Sequence, residues 1–165
     1  MNQIRVIPGS IVSAPVDAIV NAANANLLAG GGVCGAIFSA AGYKLLQAAC
    51  DEIGYCATGH AVMTPGFGCK AKHIIHAVGP IYSGSEKDAA LLAGAYRSCL
   101  ELAEEKGLSS IAFCSISTGI YGYPLTDAAE VAAEVLKNYP VKSLTDIRFY
   151  CFADTEYQVY SALLQ

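Results

Sequence analysis

Between Val16 and Ile37 the chain reads VDAIVNAANANLLAGGGVCGAI, and this stretch decides the fold. It opens as a strand-type run, Asp17 to Val20, passes three asparagines (Asn21, Asn24, Asn26) and reaches three successive glycines, Gly30, Gly31 and Gly32. From Val33 to Ala49 small and apolar residues recur at helical spacing (Val33, Ile37, Ala40, Ala41, Leu45, Ala49), broken near Gly42. That pattern predicts one helix or two short ones opened by a glycine-rich loop. A buried strand running through such a loop into a helix puts the loop at the carboxyl edge of an open α/β sheet, where ligands bind.

The flanking segments extend the same alternation. Ile4 to Ile7 reads as an earlier strand, with Pro8-Gly9 and Pro15 as punctuation. His60 to Thr64 and Ile74 to Val78 read as two more strands, separated by the turn residues Pro65-Gly66-Phe67-Gly68. A helical stretch runs from about Glu86 to Lys106 and is closed by Gly107 as a C-cap, and Ser110 to Cys114 follows as a strand. Thr126 to Tyr139 is helical and Asp146 to Phe152 an apolar strand, after which Asp154 and Thr155 can cap a last helix carrying Tyr157, Val159, Tyr160 and Leu163. Strands separated by helices imply a mostly parallel sheet covered on both faces. With no internal repeat, low-complexity tract or linker, residues 1–165 are expected to form a single domain.

A chain of 165 residues, 54% hydrophobic and 15% charged, can bury a core without disulfides or a structural metal, which excludes disorder and a disulfide-stapled miniprotein. Lys+Arg 10 against Asp+Glu 14 leaves a net charge of -4 and no basic footprint for duplex nucleic acid. The cysteines, Cys34, Cys50, Cys56, Cys69, Cys99, Cys114 and Cys151, form no CxxC pair and read as reduced thiols of a cytoplasmic protein. With three scattered histidines they match no common zinc spacing, so neither metal nor cofactor is expected. The N-terminus MNQIRVIPGS lacks the apolar core of a signal peptide, and no window reaches the roughly 18 apolar residues of a membrane span.

Three successive glycines let a backbone approach an anion while the following helix N-terminus aims N–H groups at it, so a phosphate or diphosphate is the natural occupant of the first loop. GGGVCG is neither a Walker loop, lacking GK[ST], nor a Rossmann GxGxxG. The competing reading is that the glycines serve only tight packing. Asparagine both donates and accepts. Asn21 reads as the structural one, tying loop to strand, and Asn24 as the ligand contact. A second loop, Ser117-Thr118-Gly119-Ile120-Tyr121-Gly122-Tyr123-Pro124, also follows a strand and precedes a helix. Two such loops on one sheet edge make a diphosphate clamp; the alternative is a plain turn with Tyr121 packed as an apolar wall.

The run VDAIVNAAN, the loop LLAGGGVCGAI, the segments CATGHAVMTPGF and KHIIHAVGP, and the loop SISTGIYGYP together resemble a macrodomain of the MacroD type, in family order from about Ile4 to Phe152. The resemblance implies a three-layer α/β/α sandwich with a mixed, mostly parallel central sheet and a cleft for ADP-ribose at its carboxyl edge. It further implies removal of ADP-ribose from acidic side chains, or deacetylation of O-acetyl-ADP-ribose. Position by position, Asn24 matches the residue holding the distal ribose, and Gly30, Gly31, Gly32, Val33 and Gly35 match the first diphosphate loop. Ser117, Thr118, Gly119, Ile120 and Tyr121 match the second loop, Tyr121 flanking the distal ribose, and Phe152 falls where an aromatic meets the adenine. Ser10, Ile11 and Ala23 complete the implied ligand contacts, and Asn24, Cys34 and Tyr121 the implied catalytic set.

Three departures bear on function. Ser10 stands where the family has an aspartate that accepts from the adenine amino group, Cys34 where the MacroD type has an aspartate credited with orienting water, and Phe38 where a histidine is usual. The last two remove a candidate general base and its neighbour and are expected to make that end of the cleft more apolar. A positioned base is worth about 10²–10⁴-fold, so hydrolysis here is expected to be slow. Cys34 as nucleophile or redox sensor would need a base, and none of His60, His73 and His76 lies in the glycine loop. Three readings stay open: a hydrolase, a non-catalytic ADP-ribose reader, and a protein with a changed nucleotide ligand. The expected partner is ADP-ribose or an ADP-ribosylated protein, bound by a monomer.

Overall fold

The computed structural model describes all 165 residues. Its strands are β1 (Ile4–Pro8), β2 (Ala18–Ala23), β3 (Ala61–Pro65), β4 (His73–Val78), β5 (Ser110–Phe113) and β6 (Asp146–Cys151). The helices are α1 (Gly32–Ala41), α2 (Tyr43–Ile53), α3 (Lys87–Glu105), α4 (Leu125–Asn138) and α5 (Asp154–Leu164). A short 3-10 turn, Ile11–Ser13, follows β1.

The strands form one sheet in the order β1-β6-β5-β2-β4-β3, parallel except for β3, which pairs antiparallel with β4 at the edge. β2 and β4 lie in register at the centre, with Ile19 opposite Ile74 and Val20 opposite Ile75. Successive strand side chains point to opposite faces, which explains why these central strands are almost wholly apolar. Val20, Ile75, Ile111 and Phe113 pack with Leu92 and Tyr96 of α3, Ala128 and Ala132 of α4, and Tyr160 of α5. On the other face Ile19, Ile74 and Ala112 pack with Ile37 and Phe38 of α1 and Leu46 and Cys50 of α2. Three layers result, α/β/α, with a mixed, mostly parallel sheet between.

The structure decides one element boundary that the sequence reading left open and differs from it at two others. The break near Gly42 does divide two helices, bent by 110°, because Gly42 takes φ +105°, which an L side chain rarely adopts. β2 runs on to Ala23, so Asn21 lies inside a strand and not in the loop after it. Helix α5 is capped neither by Asp154 nor by Thr155: Glu156 Oε1 accepts from the Phe152 and Ala153 amides at 3.0 and 3.2 Å. A carboxylate reaching back over the first turn satisfies orphan amides and meets the positive end of the helix dipole. No single helix is long and apolar enough to cross a membrane.

The topology also places the site. From β2 the chain crosses toward β4 and β3, whereas from β5 it crosses toward β6, so adjacent strands send their connections in opposite directions. The loops leaving β2 and β5 must therefore separate, and a crevice opens between them at the carboxyl edge.

Candidate functional site

A cleft of about 820 Å³ occupies that position, within the range of small-molecule sites. Its floor includes Ala22, Ala23, Cys114 and Ser115 at the ends of β2 and β5, and the two glycine loops form its sides. In the first loop an added Cβ at Gly31 or Gly32 would meet nothing within 4 Å, and at Gly30 only the Cys34 sulfur at 3.9 Å. Tight packing is thus not what these glycines serve. Gly35 is different: a Cβ there would lie 2.6 Å from the Gly30 carbonyl, its amide bonds to Gly31 O, and it does not line the cleft. Gly35 lets α1 fold back against its own loop.

The backbone amides from Gly30 to Cys34 have no acceptor anywhere in the chain, and neither do those from Ser117 to Tyr121. Both runs line the cleft. The second loop is held in an unusual shape, with Ser117 at φ +70° and 6% exposed, a conformation that costs free energy and persists only where its surroundings enforce it. They do so through Ser117 Oγ donating to Pro80 O at 2.8 Å, Tyr123 N to Ser117 O at 2.9 Å, and Gly122 N to Gly119 O at 3.0 Å. Beneath it Ser115 Oγ bridges Thr118 Oγ1 at 2.6 Å and the Tyr160 hydroxyl at 2.7 Å, and Tyr96 Oη accepts from Ile116 N while donating to Cys114 O. Burial pushes both tyrosine hydroxyls far above their ordinary value, so they stay protonated donors. Tyr123 is the buried tyrosine of the loop, and Tyr121, half-buried, faces the cleft.

The two asparagines have different roles. Asn21, fully buried, donates through Nδ2 to His76 Nδ1 at 3.1 Å and toward Cys34 Sγ at 3.7 Å, joining β2 to β4 and α1. Asn24 closes the loop: Oδ1 accepts from Leu28 N at 3.0 Å and Nδ2 donates to Leu28 O at 2.8 Å. It still lines the cleft with one amide hydrogen and one lone pair unused. Cys34, 7% exposed, lines the cleft between Asn21 and the Leu28 carbonyl at 3.9 Å. Phe38 does not reach the cleft. It is buried in the α1–α2 face, 5.9 Å from the Tyr43 ring and 6.5 Å from His76, so the expected apolar change at the cleft end does not come from it. His76 is a core residue whose Nε2 lies 2.9 Å from Thr64 Oγ1, and burial lowers its pKa to about 4. No cluster of three or more His, Cys, Asp or Glu side chains is arranged to hold a metal ion.

Comparison with known proteins agrees with this architecture. A family model described as Macro domain matches residues 20–132. The chain belongs to the macro domain family. This macrodomain is 48% identical to the O-acetyl-ADP-ribose deacetylase of Salmonella gallinarum, covering 99% of this chain and 94% of that protein. Among solved structures, the Oceanobacillus iheyensis macrodomain with ADP has a TM-score of 0.92 and 40% identity, covering 99% of this chain and 90% of that one. The Trypanosoma brucei macrodomain in complex with ADP-ribose has a TM-score of 0.89 at 38% identity, covering 99% and 69%.

The cleft of this macrodomain gathers nearly all the residues singled out in sequence: Ser10, Ile11, Ala23, Asn24, Gly30, Gly31, Gly32, Val33, Cys34, Ser117 to Tyr121, and Phe152. Among the lining residues that sequence reasoning missed are Gly9, Gly79, Ser115, Tyr150 and Glu156. Gly79 carried a signal, since it closes the KHIIHAVGP block, and its role is steric: a Cβ there would fall 2.2 Å from Ser117 Oγ. Glu156 was hidden because Asp154 and Thr155 are equally ordinary caps.

Proposed function

We propose that this macrodomain binds ADP-ribose in the cleft and hydrolyses ADP-ribosyl esters, either O-acetyl-ADP-ribose or ADP-ribose carried on glutamate or aspartate. One observation carries the reading: two runs of backbone amides without acceptors face each other across a cleft that no lysine or arginine lines. Such a cradle suits a diphosphate, which accepts several N–H bonds at once and gains from the positive end of α1. The distal ribose would then lie by Asn24 and Tyr121, where the unused hydrogen and lone pair of Asn24 meet its hydroxyls.

In this reading catalysis is mainly positioning. Water between Asn24 and the bound phosphates attacks the ester carbonyl or, for ADP-ribose carried on glutamate or aspartate, the anomeric carbon. A phosphate oxygen takes its proton, the ester C–O bond breaks, and the proton passes to the departing oxygen, so that a carboxylic acid and ADP-ribose leave. Cys34 replaces the expected carboxylate beside that water, so turnover is slow. The same absence of an imidazole or carboxylate next to Cys34 favours the second reading, a module that reads ADP-ribose without turning it over. We take it to act as a monomer and place it in the cytoplasm, where free thiols persist.

Calorimetric titration with ADP-ribose, followed in the same preparation by hydrolysis assays on O-acetyl-ADP-ribose and on a protein ADP-ribosylated at glutamate, tests the proposal. Binding with turnover is the expected result. Binding without turnover leaves the reader standing, and no binding refutes both.

A further inference from the structure

Among all Asp, Glu, Lys, Arg and His residues, only Glu156 lines the cleft. A lone carboxylate repels phosphates, so it divides the cleft: the anion belongs with the amides of the two glycine loops, and whatever reaches Glu156 must present a hydrogen-bond donor. The carboxylate is already oriented, because Oε1 accepts the Phe152 and Ala153 amides, whereas Oε2 has no partner in the chain. Beside it stands the Phe152 ring, 82% exposed on the cleft rim, a flat apolar surface suited to a heterocycle. Ser10 shares this end, because β1 and β6 are neighbours and Gly9 N bonds to Cys151 O at 2.9 Å. Its hydroxyl is neutral and turned to the Val12 amide at 3.4 Å.

We propose that Glu156 selects the base: its Oε2 accepts from the 6-amino group of adenine seated against Phe152, so the cleft discriminates adenine from hypoxanthine. This rests on the ADP-ribose reading above and adds the residue that sets base specificity. Hypoxanthine carries a carbonyl oxygen at that position and would set it against the carboxylate. The loss of a charge-assisted hydrogen bond and the added repulsion predict at least tenfold weaker binding.

The test is titration of the whole chain with ADP and with inosine diphosphate, wild type beside Glu156→Gln. Glutamine keeps a carbonyl for the Phe152 and Ala153 amides, so the cap survives and the side-chain NH2 group takes the place of Oε2. Wild type should prefer ADP by tenfold or more, and E156Q should lose or invert that preference, since its NH2 group donates to the hypoxanthine oxygen. A purely structural role would weaken both nucleotides alike. Equal binding of the two by wild type, or an ADP preference unchanged in E156Q, overturns the inference while leaving ADP-ribose binding intact. If wild type binds neither these nucleotides nor ADP-ribose, the ADP-ribose reading falls and the inference with it.

Discussion

Gly79→Ala should cripple ligand binding although residue 79 has no charge and no side chain to offer. A Cβ at this position would sit 2.2 Å from Ser117 Oγ and 2.5 Å from Ile116 Cγ2, where ordinary contact begins near 3.4 Å. Neither neighbour yields easily: Ser117 Oγ is tied to Pro80 O at 2.8 Å, and Ile116 is 1% exposed. The strain is relieved by moving the second loop outward by about 1 Å, the scale of misplacement that costs about 10²-fold in a positioned site. If two amide–phosphate bonds of about 1.5–3 kcal/mol each are lost, affinity for ADP-ribose falls at least a hundredfold. Overpacking itself costs about 1–3 kcal/mol of stability, so the variant should remain folded with a lowered Tm. Calorimetry with ADP-ribose, paired with a thermal melt, measures both. Adding Ser117→Gly removes the nearer overlap and suits the positive φ, and should recover part of the affinity. An ADP-ribose affinity for G79A within threefold of wild type would refute the idea that Gly79 sets the loop.

Cys34→Asp should raise ester hydrolysis tenfold or more with affinity within threefold, because it restores a proton acceptor where Asn21 Nδ2 can orient it; steady-state kinetics on O-acetyl-ADP-ribose decide it. His76 has a folded pKa of about 4 against an ordinary 6.5. The unfolded chain therefore takes up the proton first, and stability present above pH 6.5 is lost as pH falls toward 4. The loss amounts to about 3 kcal/mol. Urea melts across that window should show this slope in wild type and not in His76→Gln, which keeps a donor and an acceptor for Thr64 and Asn21. Lower on the scale, Glu104 pays for its burial but accepts the amides of Ser143, Lys142 and Leu144, which hold its carboxyl at about 2, below the ordinary 4.5. Its contribution is present above pH 4.5 and lost as pH falls toward 2, so acid unfolding of Glu104→Gln should be shallower in that range when followed by circular dichroism.

The alternation of strands and helices, the glycine loops and the family were legible in the linear chain, because hydrophobic periodicity and glycine runs are local properties of neighbouring residues. Gly30 to Gly32 and Ser117 to Tyr121 could be assigned from their place after a strand, since any loop at the carboxyl edge of such a sheet borders the crevice. What each polar side chain does there is a matter of which partners folding brings within hydrogen-bond reach, some from distant strands and some from its own loop. Thus Asn21 proved to be a strand residue joined to His76, and Asn24 spends two bonds on its own loop. Phe38 shares a face of α1 with Cys34, four residues back, but it lies one turn farther along the helix, where that face packs toward Tyr43 and His76 in the core. Gly79 matters through a close approach to Ser117, 38 residues on, which its own block does not disclose, and Glu156 caps α5 locally but meets the cleft only because β6 ends beside β1. Local pattern is enough to specify elements and their order, whereas the unpaired amides, the lone carboxylate and the limits of the cleft exist only once the strands lie side by side.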